Sequence, residues 1–163
     1  MTSISEKIIF EAKKEIGYKE FPSGSNKTKF GEWFGFNNVA WCGIFVSYCY
    51  AKAGLKLDQI GWSKGFASCQ AAVAHFKATE QTVTKETVVP GDIVFFDWNK
   101  DGKFDHTGIF LKNNNNGTFQ SIEGNTAIGN DSNGGEVMER TRSFNLVEIF
   151  VHPKILNNQN QDK

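Results

Sequence analysis

An α+β fold, helices leading and an antiparallel sheet following, is predicted by three observations. Apolar residues recur at helical spacing in the first half of the chain, Pro90-Gly91 marks a turn, and short apolar runs separated by Gly- and Asn-rich turns fill the second half. The chain has 163 residues, which suits one domain over 1–156 with a polar, disordered tail over 157–163.

Charge narrows the function classes. Eighteen basic residues balance eighteen acidic ones and no basic run stands out, so nucleic acid is not an expected partner. Three cysteines, at 42, 49 and 69, suggest neither a disulfide framework nor a structural zinc site. The N-terminus lacks the apolar stretch of a signal peptide, and no segment approaches the ~18 apolar residues that span a bilayer. Synthesis in the cytoplasm, with no membrane span, is the expectation.

In order along the chain, Ser3 and Glu6 have capping-box spacing, and Ile8, Ile9, Ala12 and Ile16 then predict a helix of about four turns before Gly17. Residues 18–40, rich in Gly, Asn and aromatics without a period, read as an ordered loop. A helix is predicted from about Cys42, with Cys42, Phe45, Val46, Cys49 and Ala53 on one stripe and Gly54 as its left-handed cap. Another is predicted over about 66–77, where Ala67, Ala71, Ala74 and Ala78 make a small-residue stripe for close packing, and Cys69 and His75 read as structural or exposed. Residues 92–98 read as a buried strand, 107–112 and 118–123 as two more, and 146–151 as the last, while 124–135 reads as a polar surface loop.

Cys42 is the candidate nucleophile. At a helix start it meets unpaired N–H groups and the positive end of the helix dipole, which favour the thiolate. Cys49, two turns on, reads as core. His106 is the candidate base, because it opens a strand within a polar cluster, and the Glu123-Gly-Asn125 segment one strand on offers groups that could fix the imidazole's tautomer and tilt. Residues Asp97, Asn99, Asp101, Lys103 and Asp105 match calcium-loop positions 1, 3, 5, 7 and 9, with Gly102 at 6, but Gly108 stands where a bidentate glutamate belongs. A structural calcium and a plain polar hairpin turn both fit that spacing. No organic cofactor is implied.

Trp-Cys-Gly-Ile-Phe-Val-Ser-Tyr, Gly-Asp-Ile-Val-Phe-Phe, Asp-His-Thr-Gly-Ile and Ile-Glu-Gly-Asn-Thr occur in that order over about residues 34–151. Together they resemble the CHAP family, the cysteine, histidine-dependent amidohydrolases/peptidases. The resemblance implies a papain-like fold, with Cys42 as nucleophile, His106 as base and then acid, Glu123 orienting His106, and Asn125 at a further polar position of the active site. It also implies a bacterial peptidoglycan substrate, cut at an amide bond by a phage endolysin, an autolysin or an antibacterial effector. Such a protein would act on the wall after phage lysis or specialised secretion, and an effector would have a cognate immunity protein. Trp41 departs from the family pattern, since many relatives carry a polar residue before the cysteine. A papain-like enzyme acting on a protein, and a non-catalytic calcium-dependent binding or immunity module, are the alternative readings.

Overall fold

The computed structural model describes residues 2–158, in which four helices precede a six-stranded antiparallel sheet and a short fifth helix threads in at the end. The order is the expected α+β one. Helix α1 (Ile4–Lys14) is capped by both halves of the predicted box: the Glu6 N–H donates to Ser3 Oγ at 3.2 Å, and Glu6 Oε2 accepts from the Ser3 N–H at 2.6 Å. It is a turn shorter than expected, and Ile16 lies beyond it, exposed. The chain is drawn off to the sheet edge instead. Gly17 turns at φ +93° and its N–H donates to Val137 O, the Val137 N–H donates to Tyr18 O, and the Glu20 N–H donates to Gly135 O.

The predicted loop over 18–40 contains helix α2 (Lys29–Phe34). Thr28 caps its start, accepting from the Gly31 N–H at 2.9 Å, and Gly35 ends it at φ +89°. Six residues are too few for a period to show, but the Thr and Gly bracketing them were the available signal. Helix α3 (Cys42–Lys52) begins and ends as predicted. Its last turn closes as a Schellman motif, the Leu55 N–H donating to Tyr50 O and Gly54, at φ +88°, donating to Ala51 O. Residues 42–47, 49 and 50 are all buried, so α3 is a central helix, not an amphipathic one.

Helix α4 (Cys69–Ala78) starts later than predicted, and the alanine stripe does not pack. Ala71, Ala74 and Ala78 are exposed, while Cys69, Ala72, Val73 and Phe76 are buried. The larger side chains remove more apolar area from water and so choose the face.

The sheet runs in the order β1-β6-β2-β3-β4-β5, with β1 Thr82–Val83, β2 Ile93–Phe96, β3 His106–Asn113, β4 Thr118–Thr126, β5 Glu136–Ser143 and β6 Val147–Val151. Two strands, β1 and β5, were not predicted. The supposed loop over 124–135 is partly strand, since Gly124, Asn125 and Thr126 are buried in β4. Ile93, Phe95, Ile109, Ile122 and Val137 pack in the core with the helices, whereas Val94, Phe96, Phe110, Phe119 and Phe150 form a second core on the other face. Phe119 on β4 and Phe150 on β6 come within 6.0 Å although two strands separate them, so the sheet curls around this second core.

Helix α5 (Ile155–Asn158) takes up the start of the predicted tail, and the remainder of that tail lies outside the described residues. No helix among the described residues is long and apolar enough to cross a membrane.

Candidate active site

Cys42 is the first residue of α3, after an N-cap, Trp41, that makes no side-chain cap bond. The first-turn N–H groups are therefore left for the sulfur and for an oxyanion beside it. Trp41 is instead anchored outward, its indole N–H donating to Glu20 Oε2 at 3.1 Å, and Glu20 Oε1 accepts from the Gly24 N–H at 2.7 Å. Two glycines set how closely this helix start approaches its neighbours. A Cβ on Gly43 would lie 2.8 Å from the Phe66 ring, and one on Gly124 would lie 2.7 Å from Phe45 Cβ.

His106 opens β3, directly opposite Phe96 on β2, and is fully buried. Its ring stacks near Phe96 and Trp98, both 5.9 Å away between centroids. Nε2 pairs with Glu123 Oε1 at 2.8 Å. Nδ1 is buried with no other protein partner, so it is the nitrogen left for the Cys42 thiol, which lies close enough for each group to set the other's ionisation. The other two histidines are engaged elsewhere, His75 with Asp58 at 2.8 Å and His152 with Asp92 at 2.6 Å.

Gly108 explains how Glu123 fits between strands. A Cβ at that position would stand 2.6 Å from Glu123 Cγ, so the carboxylate side chain occupies the space that the glycine leaves. Glu123 is gripped by Arg142 of β5, which donates from Nη2 to Oε1 at 2.6 Å and from Nε to Oε2 at 2.9 Å, and by the Ser121 hydroxyl. Arg142 also donates to Asp131 at 2.8 Å, and its guanidinium lies 4.9 Å from the Trp98 ring centre.

These contacts decide the charges. Burial pushes Glu123 up, but the hydrogen bonds and charges of Arg142 and His106 outweigh it and hold the carboxyl at about 2. Burial pushes His106 down, and the nearby Cys42 sulfur, together with the hydrogen bond and charge of Glu123, carries it the other way, to about 9. Cys42 is held well below the usual thiol value, first by a hydrogen bond from Cys69, then, against burial, by His106 and the Gly43 N–H. Cys49, desolvated and near acidic groups, is pushed well up, as its reading as core requires. These shifts favour a thiolate at Cys42 and an imidazolium at His106, whose Nε2 rests on the carboxylate held by Arg142.

The structure brings the predicted Cys42, His106 and Glu123 together, and it adds Cys69, Arg142 and Glu20, which the sequence reading did not place there. Cys69 is buried, with its Sγ 3.8 Å from Cys42 Sγ. Asn125 is not hydrogen-bonded to Cys42, His106 or Glu123 among the described residues. It sits at φ +58° and ties down the following loop, Oδ1 accepting from the Gly135 N–H and Nδ2 donating to Asn133.

The residues proposed for calcium form a turn that satisfies itself. Asp97 accepts from the Asp101 and Gly102 N–H groups, Asp105 from the Trp98 N–H, and Asp101 from the Lys103 N–H and the Asn99 amide. Among the described residues no group of three or more His, Cys, Asp or Glu is placed to hold a metal ion, and the carboxylates of this turn face N–H groups.

A thiol at a helix start, paired with a histidine that a buried carboxylate orients, is an arrangement that cysteine amidohydrolases and peptidases use. The chain belongs to the CHAP domain family, whose family model matches residues 34–125, a span that contains Cys42, His106 and Glu123. No curated protein matches it. Among solved structures it is similar to an NlpC/P60 family protein from Bacillus cereus ATCC 10987, at 16% identity and a TM-score of 0.49, over 94% of this chain and 41% of that one.

Proposed function

We propose that this protein is a cysteine-dependent peptidoglycan hydrolase that cuts an amide bond of the bacterial wall through a thioester. The observation that carries the chemistry is the His106 ring, tied at Nε2 to Glu123 and open at Nδ1 towards Cys42. Membership of the CHAP family supports the wall as substrate.

The Cys42 thiolate attacks the amide carbon, and N–H groups at the start of α3 stabilise the oxyanion. The His106 imidazolium gives its Nδ1 proton to the departing amine as the C–N bond breaks, leaving an acyl-Cys42 thioester. Neutral His106 then takes a proton from water, the hydroxide adds to the thioester, and Cys42 leaves as thiolate with the freed carboxyl product. Glu123 does not titrate in this cycle; it fixes the ring and stabilises its charged form. Phage endolysin, autolysin and secreted antibacterial effector are all compatible settings, the last with a cognate immunity protein.

The test is mass spectrometry of soluble products from purified sacculi treated with wild type and with Cys42→Ala. Fragments that depend on Cys42 support the reading, and their new ends identify the bond. No fragments from any of several wall chemotypes would overturn the wall as substrate and favour a protein amide.

A further inference from the structure

The mechanism above uses Cys42 but gives no covalent task to the second sulfur beside it. Cys69 is the first residue of α4, and its Sγ is 3.8 Å from that of Cys42, with both residues buried. The two helix starts are locked together. Gly43 abuts the Phe66 ring and the Ala67 carbonyl, and Ser47 Oγ both accepts from the Phe66 N–H at 3.1 Å and lies 3.0 Å from Gly43 O. The third cysteine, Cys49, lies two turns along α3 and makes no sulfur–sulfur contact of this kind among the described residues. A disulfide needs the sulfurs at about 2.05 Å, so closing it asks for a movement of less than about 2 Å from the 3.8 Å separation.

We propose that Cys42 and Cys69 form a modification site for hydroperoxides, in which Cys69 captures an oxidised Cys42 as a reversible disulfide. The Cys42 thiolate attacks the peroxide O–O bond, takes one oxygen as sulfenic acid and releases hydroxide or alkoxide. Cys69 sulfur then attacks Cys42 sulfur, the S–S bond forms, and the leaving hydroxide departs with the Cys69 proton as water. The two sulfurs together lose two electrons, and the peroxide gains them. The roles are asymmetric because Cys42 has the imidazole and Cys69 does not. A hydrogen bond to Cys42, together with burial, keeps the Cys69 proton on, so Cys42 reacts first and Cys69 resolves. The disulfide silences the nucleophile while protecting it from the irreversible sulfinic and sulfonic states.

This inference rests on the reading of Cys42 as a reactive thiolate, not on its substrate. The full chain is exposed to hydrogen peroxide, alkylated, digested without reductant and mapped by mass spectrometry. The expected product links the Cys42 and Cys69 peptides and is lighter by two hydrogens, with Cys49 still alkylatable; dithiothreitol removes the link and restores Cys42 labelling. In Cys69→Ser the same treatment should leave Cys42 carrying two or three oxygens, with labelling permanently lost. Wild-type Cys42 that gains those oxygens while Cys69 stays free, or that stays a thiol, overturns the proposal. A chain that forms the link yet releases nothing from sacculi keeps this site and loses only the wall substrate.

Discussion

His106 has one orientation available, because Glu123 holds Nε2 and Arg142 holds Glu123 with two hydrogen bonds. Replacing His106 with Ala removes the acid and base together, so turnover should fall by roughly 100 to 10,000-fold while circular dichroism stays that of the wild type. A folded variant with normal turnover would remove His106 from the mechanism. The same contacts set the pH response. His106 keeps its proton up to about 9, so the basic limb of kcat/KM should lie near pH 9. His106 alone would contribute stability that is lost as pH rises from its ordinary 6.5 to about 9, but Cys42, held well below its ordinary 9.0, has given up a proton that the unfolded chain keeps, so the pair leaves stability nearly flat across that window. Glu123 acts oppositely: its contribution is present above 4.5 and is lost as pH falls towards about 2. Denaturant midpoints across pH, set against those of Glu123→Gln, would check the flat stretch and the acid slope. Cys42, His106 and Glu123 were legible because each stands in a local pattern. Arg142 and Cys69 were not, since strand pairing and helix packing alone bring them to Glu123 and Cys42.

Strands were legible where apolar residues dominate and hidden where charge points inward. β2 is four buried apolar residues, whereas β5 reads Glu-Val-Met-Glu-Arg-Thr-Arg-Ser and buries only Val137 and Arg142. A pattern reading sends Arg142 to solvent, but its carboxylate partner comes from the neighbouring strand. The β3–β4 pair depends on Gly108. Gly108→Ala places a Cβ 2.6 Å from Glu123 Cγ and should cost about 1–3 kcal/mol, with kcat falling further than KM changes because the carboxylate is displaced from His106. Steady-state kinetics with a thermal melt would show it, and unchanged kcat would mean that Glu123 does not set the ring. The turn between β2 and β3 already satisfies its carboxylates with its own N–H groups, so chelator should leave Tm and activity unchanged. A rise of several degrees in Tm with added calcium would instead show these side chains turning from the N–H groups to a cation.

At the scale of the whole molecule, the nucleophile belongs to the helical half and the base and its carboxylate to the sheet half. α+β order was legible in the sequence, but the curl that brings Phe119 to Phe150 and the distance between the halves were not, because both arise from contacts far apart in sequence. One tight approach between the halves runs through Gly124. A Cβ there would lie 2.7 Å from Phe45 Cβ, 2.8 Å from Phe45 Cγ and 2.9 Å from the Trp41 ring. Neither Phe45 nor Trp41 can yield easily, since both are fully buried and packed on Phe30, at 5.3 and 5.5 Å between centroids. Gly124→Ala must therefore push β4 away from α3, with Glu123 moving on one side and Cys42 on the other. Its expected cost is about 1–3 kcal/mol, which for a chain of this size lowers Tm by roughly 2–12 °C. Activity should drop more steeply, because widening the gap by a fraction of an ångström weakens the thiolate–imidazolium pair before it unfolds the sheet. Labelling of Cys42 by a thiol reagent at neutral pH separates the two effects. Slower labelling at a temperature where the variant is still folded would show that Gly124 sets the spacing of the catalytic pair, and wild-type labelling with only a lowered Tm would reduce it to a packing residue.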